Sequence, residues 1–195
     1  GSRILDSAGL FLRPDMTLRD RGYGERDRGQ FDTPEEVFAP CGAAAFFRRD
    51  ALNTVMHQDS LPWDQAFGSY YEDGDLGWRL RRAGWRCIYC PDAIVQHYRG
   101  GSSAASFFHK PHRAKVATIR NRYLMLVKNA PLPLLLRSLP VLAAREILIW
   151  AYLMLHPRLL VHVLTTLAAA IPNTLRERRS VRASLEVRGS NEGAA

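Results

Sequence analysis

Three carboxylates lie close together in the segment YYEDGDLGWRLRRAG, at Glu72, Asp73 and Asp75. Aspartate at the start of this segment and glycine at its end predict a helix that begins at these acids and stops at Gly84. A helix N-terminus favours the ionised form of a carboxylate, and an ionised carboxylate in a cleft can take a proton from an attacking hydroxyl. The alternative is that the acids only cap the helix, which is the ordinary role of a single aspartate there.

A histidine, His97, ends the strand-like segment RCIYCPDAIVQH, which is interrupted at Pro91. Neutral imidazole can bind a divalent cation together with carboxylate and phosphate oxygens, so His97 is a candidate ligand for Mn²⁺ or Mg²⁺. The alternative is a histidine at a strand end whose ring is hydrogen-bonded within the core.

Two cysteines and two histidines offer a competing metal site, a Cys₂His₂ zinc centre at Cys87, Cys90, His109 and His112. However, residues three apart on a strand point to opposite faces of a sheet, and no glycine turn surrounds the cysteines. We therefore do not expect zinc here. The low, odd number of cysteines in the chain, three, indicates a reducing compartment without disulfides.

The elements expected around these residues mix strands and helices. Residues 4–12 are predicted to form a buried strand, residues 13–36 a long polar loop, and residues 41–52 a strand of small residues that leads into a short helix. Helices are predicted again over residues 102–110 and 112–129. The composition, with 195 residues of which 47% are hydrophobic, suffices for one globular domain with a core.

The net charge of +8 and the pI near 9.9 favour an anionic partner such as nucleic acid, anionic lipid or a phosphorylated substrate. The basic residues are not interleaved with exposed aromatic residues, and no motif of an RNA- or DNA-binding protein occurs. We therefore expect no nucleic acid among the partners.

From Pro131 onward the chain becomes strongly apolar. Its longest uncharged runs, Ile147–Leu155 and Leu159–Ile171, are shorter than the roughly 18–20 residues needed to span a bilayer. Arginines follow from Arg176, which predicts helices that lie in the membrane interface. The alternative is a buried helical hairpin that packs on the preceding domain or on a second copy in a homo-oligomer.

The pattern ED-x-D-L-x-x-R-x-x-x-x-G, followed by x-Y-x-P-x-A-x-V-x-H, resembles the acceptor-side half of GT-A glycosyltransferases of family 2. It is most similar to the rhamnosyltransferase-like and galactofuranosyltransferase-like members. The segments DSAGL, GYGERDRGQFD, EEVFAPCGAAAFFRRDAL and RNRYLMLVKN agree with the same family, so the resemblance covers nearly all of residues 4–130. It implies an α/β fold class, with the acceptor-side portion of a GT-A fold followed by an apolar helical extension.

The resemblance also implies roles for the acidic residues and the histidine. Asp73 matches the catalytic base that deprotonates the acceptor hydroxyl for in-line attack with inversion, and Glu72 would help to position the acceptor or the base. Asp75 would cap the helix or hold the site together. His97 matches a ligand of the divalent metal, Mn²⁺ or Mg²⁺, on the donor diphosphate.

Further residues belong to the motif or carry suitable charge. Trp63, Asp64 and Arg79 are assigned with Asp75 to the acceptor-side or structural part of the motif. Arg120 and Arg122 are weaker candidates for contacts with the phosphates of the donor or of a lipid-phosphate acceptor.

The first half of this family is a nucleotide-binding α/β unit with an Asp-x-Asp after a hydrophobic strand, and no such element is found here. We therefore expect the C-terminal half of a longer enzyme, inactive alone, with an acceptor-side portion at residues 1–130, apolar membrane-associated helices at 131–175 and a basic, disordered tail at 176–195. The expected partners are a nucleotide-sugar donor, a glycan or lipid-linked acceptor and the cytoplasmic face of a bacterial inner membrane. The alternatives are a non-catalytic membrane adaptor and a partner-dependent half-enzyme.

Overall fold

Helices make up most of the structure. The computed structural model describes the backbone of residues 3–56, 61–97 and 107–192, with side chains as far as residue 179. The helices are α1 (Arg49–Asn53), α2 (Glu72–Arg82), α3 (His112–Asn129), α4 (Leu132–Arg137), α5 (Leu139–Met154) and α6 (Pro157–Glu192). Most of the helix predicted at 102–110 lies outside the described residues, and Phe107–His109 form a single 3₁₀ turn.

The strands are short and form two antiparallel pairs. Strand β1 (Leu10–Leu12) pairs with β2 (Leu18–Asp20), and β3 (Glu35–Val37) pairs with β4 (Cys87–Tyr89). A bridge between Leu10 and Ala39 connects the two pairs. The mixture of helices with a small amount of sheet is compatible with an α/β fold.

Two strands differ from the prediction. The polar loop expected at 13–36 contains β2 and most of β3, and the strand expected at the start of 41–52 is absent from that described segment. Strands β2 and β3 are each only three residues long and carry charged side chains. Each is therefore determined by its pairing, β2 with the neighbouring β1 and β3 with the distant β4, and its own hydrophobic pattern does not predict it.

Helix α2 confirms the helix predicted at the acidic cluster. It ends at Arg82, and Gly84 follows with a φ of +86°, a left-handed conformation that suits glycine. The predicted cap is wrong, because the residue that precedes the helix is Tyr71 and no side chain caps this end. Asp73 and Asp75 are therefore available for other contacts.

Helix α3 forms the centre of the core, where it packs against both α2 and α6. One hydrophobic cluster joins α3 to α2, to the turn between β1 and β2 and to the segment before α2. It consists of Met16, Phe67, Trp78, Leu124, Met125, Leu126 and Ala130. A second cluster joins α3 to α5 and α6, and consists of Val116, Ile119, Leu153, Leu159 and Val163. Arg178 of α6 also donates hydrogen bonds to the carbonyls of Val127 and Ala130, which satisfies backbone groups at the end of α3.

The apolar extension consists of the three helices α4, α5 and α6, joined by one or two residues each. The segment Pro157–Arg179 of α6 is long and apolar enough to cross a membrane, judged by length and composition alone. This segment is longer than the uncharged run Leu159–Ile171, because the helix includes Arg158 and continues beyond Ile171 through Arg176. Backbone from residue 176 to Glu192, where a disordered tail is predicted, belongs to the same helix.

Candidate active site

Asp73 lies in the first turn of α2 and is half-buried. Its Oδ2 accepts a hydrogen bond from the backbone N–H of Gly42 at 3.1 Å, and its Oδ1 accepts one from the N–H of Gly74 at 2.8 Å. The first bond ties α2 to the loop that follows β3. Both carboxylate oxygens are therefore held in a fixed orientation by backbone donors.

The surroundings of Asp73 make it a stronger base than an ordinary aspartate. Burial raises the pKa of its carboxyl, the bonds from Gly42 and Gly74 oppose this only in part, and the nearby charge of Asp20 raises the pKa further. Burial and the charge of Asp73 likewise raise the pKa of Glu72, whose Oε2 is buried without a hydrogen bond among the described residues. This arrangement can accept a proton from a hydroxyl placed beside it.

Asp75 faces the opposite way, into a buried network of charges. Its Oδ2 accepts hydrogen bonds from Arg79 Nε at 2.9 Å and from Lys128 Nζ at 3.1 Å, and its Oδ1 accepts one from Asn129 Nδ2 at 2.7 Å. Lys128 also donates to Asp64 Oδ2 at 2.7 Å. The charges of Arg79 and Lys128 outweigh the effect of burial and lower the pKa of Asp75.

This network joins three parts of the chain. Arg79 donates to the carbonyls of Val55 and Pro62, both at 2.6 Å, so that α2 is also bound to the segments around α1. The structure thus brings Asp64, Asp75 and Arg79 together. Trp63 lies outside the network and packs edge to face on the ring of Phe47, 5.8 Å between ring centres.

Lys128 and Asn129 were not singled out from the sequence, although a signal was present. They lie one helical turn after the core residues Leu124 and Met125, on the same face of α3. A lysine in that position must find a buried partner or leave the core. Helical spacing alone therefore indicates a buried ion pair, but not which acid forms it.

Asn121 is a second residue that the sequence did not reveal. Its Nδ2 donates to the carbonyls of Phe67, Ser69 and Tyr70 at 2.7–2.8 Å. Tyr70 and Tyr71 both have left-handed backbone, with φ of 72° and 70°, which is costly for aromatic residues. Asn121 therefore holds a strained turn immediately before the acidic cluster.

The two arginines predicted to contact phosphate make internal contacts instead. Arg122 is buried, and donates to the carbonyls of Asp15 and Met16 and to Glu146 Oε1. Arg120 is half-buried and donates to the carbonyls of Ala66 and Phe67 and to the side chain of Asn121. The phosphate-binding role has no support from this geometry, because the guanidinium groups are occupied within the fold.

His97 lies in a groove with a volume of about 330 Å³, which Asp6, Cys41 and Tyr89 also line. Its Nδ1 is 2.8 Å from Asp6 Oδ2. A carboxylate that holds one ring nitrogen in this way leaves Nε2 as the nitrogen able to bind a metal. Among the described residues no group of three or more metal-binding side chains occurs, and Asp6 is the side chain that the structure shows bonded to His97.

The competing zinc centre finds no support in the described part of the chain. Cys87 lies in β4 and is half-buried, whereas Cys90 is exposed beyond the strand end. His112 is 3.1 Å from His162 of α6, between Nε2 and Nδ1.

Comparison with known proteins yields a family and two relatives. The family described as glycosyl transferase family group 2 matches residues 21–171. An N-acetylglucosaminyl-diphospho-decaprenol L-rhamnosyltransferase of Mycobacterium tuberculosis is 32% identical over 85 residues, 42% of this chain and 26% of the relative. Cellulose synthase-like protein D5 of Arabidopsis thaliana is 26% identical over 129 residues, 56% of this chain and 11% of the relative.

The chain thus spans about a quarter or less of the length of these curated relatives. No solved structure matches it significantly.

Proposed function

Because this chain belongs to glycosyl transferase family group 2, we propose that it carries the acceptor side of an inverting sugar transfer, with Asp73 as the general base. One observation carries the proposal. Asp73 is half-buried, its two oxygens are held by the N–H groups of Gly42 and Gly74, and burial raises its pKa. A carboxylate that is oriented and more basic than an ordinary aspartate suits proton abstraction from a hydroxyl.

In the proposed reaction the acceptor hydroxyl lies within hydrogen-bonding distance of the Asp73 carboxylate. The hydroxyl oxygen attacks the anomeric carbon of the donor sugar while its proton passes to Asp73. The bond from that carbon to the diphosphate oxygen breaks, and the nucleoside diphosphate leaves with the electron pair. Glu72, adjacent and partly buried, accepts hydrogen bonds from the acceptor and helps to orient it.

The donor side requires groups that the described residues do not supply. His97, held at Nδ1 by Asp6, would provide one ligand to a divalent metal, Mn²⁺ or Mg²⁺, through Nε2. When bound, such a metal neutralises charge that develops on a leaving diphosphate. We propose that this chain is part of a longer enzyme that also contains the nucleotide-binding half, and that the chain alone is inactive.

The acceptor is proposed to be a glycan or a lipid-linked sugar at the cytoplasmic face of a bacterial inner membrane. The name of the mycobacterial relative specifies an acceptor linked through diphosphate to decaprenol. Large apolar side chains are exposed from α4 to α6, namely Leu132, Leu136, Leu139, Val141, Ile147, Leu148, Met154, Leu155, Val161, Leu164 and Leu175. Such a surface, flanked by arginines, suits contact with a membrane of anionic lipid.

The test is Asp73→Asn in the full-length enzyme. Replacing the carboxylate by an amide removes the base and keeps its shape, so transfer should fall by about 10²–10⁴-fold, whereas binding to lipid vesicles should not change. Asp50→Asn, in which an exposed carboxylate of α1 is lost, is the matched control and should leave transfer unchanged.

Unchanged transfer by Asp73→Asn, with normal folding, would reject the assignment of the base. A different result would favour the membrane-adaptor alternative: wild-type full-length protein that binds vesicles but transfers no sugar.

A further inference from the structure

The apolar helix α5 contains one charged pair, Arg145 and Glu146, that the proposed reaction does not use. Both side chains face the rest of the protein. Glu146 Oε1 accepts a hydrogen bond from Arg122 Nη1 at 2.6 Å, and its Oε2 accepts one from the hydroxyl of Tyr123. Arg145 Nη1 lies 3.4 Å from Asp15 Oδ2. The pair therefore joins α5 to α3 and to the turn between β1 and β2.

Arg122 extends this connection into the β1–β2 hairpin. Its Nε and Nη2 donate to the carbonyls of Met16 and Asp15, at 3.2 and 2.9 Å, while its Nη1 is held by Glu146. The Asp15 carboxylate accepts hydrogen bonds from the backbone and hydroxyl of Thr17, at 3.2 and 2.6 Å. The turn of the hairpin is thus fixed from two sides, by its own side chains and by α5.

The hairpin in turn packs against the residue next to the proposed base. A Cβ atom on Gly74 would lie 1.8 Å from Leu18 Cδ1, so the Leu18 side chain occupies the space that any other residue at position 74 would need. Two residues further on, the charge of Asp20 acts on Asp73 and raises its pKa. The position of the hairpin therefore affects the packing beside Asp73, at Gly74, and contributes to the electrostatic environment of Asp73.

We propose that Glu146 is a positioning residue, which couples the apolar helix α5 to the catalytic base through Arg122 and the β1–β2 hairpin. The extension then takes part in holding the site. The proposal rests on the proposed role of Asp73. Spatial connection alone does not establish coupling, so the test must measure an effect of Glu146 at Asp73 itself.

The experiment follows the amide NMR signals of Gly42 and Gly74 against pH in this chain, because both N–H groups donate to Asp73 and report its ionisation. In Glu146→Gln the hairpin should loosen, water should reach Asp73, and Asp20 should move away. Each change lowers the pKa of Asp73, so the midpoint of the pH titration seen at these two amides should fall by at least a few tenths of a pH unit. Asp50→Asn, with the same loss of charge on exposed α1, should not shift it.

A second variant separates coupling from general damage. Leu18→Ala removes the side chain that touches Gly74 and should shift the midpoint in the same direction. Glu146→Gln added to Leu18→Ala should then shift it little further, because both act through one element. If Glu146→Gln does not fold, Tyr123→Phe, which removes one hydrogen bond to Glu146, should give a smaller shift of the same sign.

An unchanged midpoint in folded Glu146→Gln overturns the proposal, and so do fully additive shifts with Leu18→Ala. These results are independent of the proposed function, because the titration requires no sugar transfer. In the full-length enzyme, the acidic limb of the pH–rate profile should move to lower pH in Glu146→Gln. If Asp73→Asn leaves transfer intact while Glu146→Gln still moves the midpoint, the base assignment fails and the structural coupling remains.

Discussion

Asp73 and Asp75 are two residues apart on the same helix, yet their environments are opposite. A separation of two residues turns a side chain by about 200° around a helix, so one carboxylate faces the loop after β3 and the other faces the core. Asp75 is fully buried between Arg79 and Lys128, and its pKa is lowered. Asp73 is only half-buried, has no cation among its hydrogen-bond partners, and its pKa is raised.

The comparison shows that the charge of the partners, more than the degree of burial, decides in which direction the pKa of these two carboxylates shifts. Burial acts on both residues in the direction that raises the pKa. Two cations reverse the effect at Asp75, whereas two backbone N–H groups fail to reverse it at Asp73. One motif thus contains one acid that is ion-paired in the core and one acid whose pKa is raised.

The largest expected effect on stability comes from removing the buried acid. Asp75→Ala removes a carboxylate that pairs with both Arg79 and Lys128 in the core, so the free energy of unfolding should fall by about 3–5 kcal/mol. Asp73→Asn should change it far less, since no buried cation loses its partner. Chemical denaturation of both variants measures the difference. Equal losses in the two would contradict the distinction between the residues.

The next largest effect should come from Gly74, which separates the two acids. Gly74→Ala would force Leu18 out of its place, and overpacking of this kind costs about 1–3 kcal/mol. Leu18→Ala in the same chain should restore part of the loss by making room for the new methyl group. Thermal unfolding of the two single variants and the double variant checks this. Strictly additive losses would show that the two residues do not compete for space.

The sequence predicts the parts of this site that depend on local signals. The helix from Glu72, its stop at Gly84 and the strand before Pro91 all follow from residues within a few positions of one another. The strand-like pattern that continues from Pro91 to His97 is not a strand in the structure. The resemblance to family 2 glycosyltransferases is confirmed by the family match over residues 21–171.

What the sequence did not reveal depends on long-range contacts. The donor to Asp73 at Gly42 is 31 residues away, and the partner of His97 at Asp6 is 91 residues away. No local pattern encodes such pairs. The internal contacts of Arg122 could not be predicted for the same reason, because its partners Asp15 and Glu146 are 107 and 24 residues away along the chain.

The smallest expected effect is a difference in how the two acids make stability depend on pH. The folded-state pKa of Asp73 is raised above the ordinary value of 3.8. Its protonated form therefore stabilises the folded state, and this contribution is lost as the pH rises from 3.8 through the folded-state pKa. For Asp75, whose folded-state pKa is lowered, the contribution is present above 3.8 and is lost as the pH falls through the folded-state pKa.

Denaturant unfolding of wild type and Asp73→Asn across mildly acidic to neutral pH separates these contributions. The variant should lack the decline that Asp73 causes, so its stability relative to wild type should rise with pH and then level off. The gain should be about 1.4 kcal/mol for each pH unit by which the folded-state pKa is raised. A relative stability that stays flat, or that falls with pH, would mean that Asp73 has an ordinary or lowered pKa, and the contrast with Asp75 would disappear.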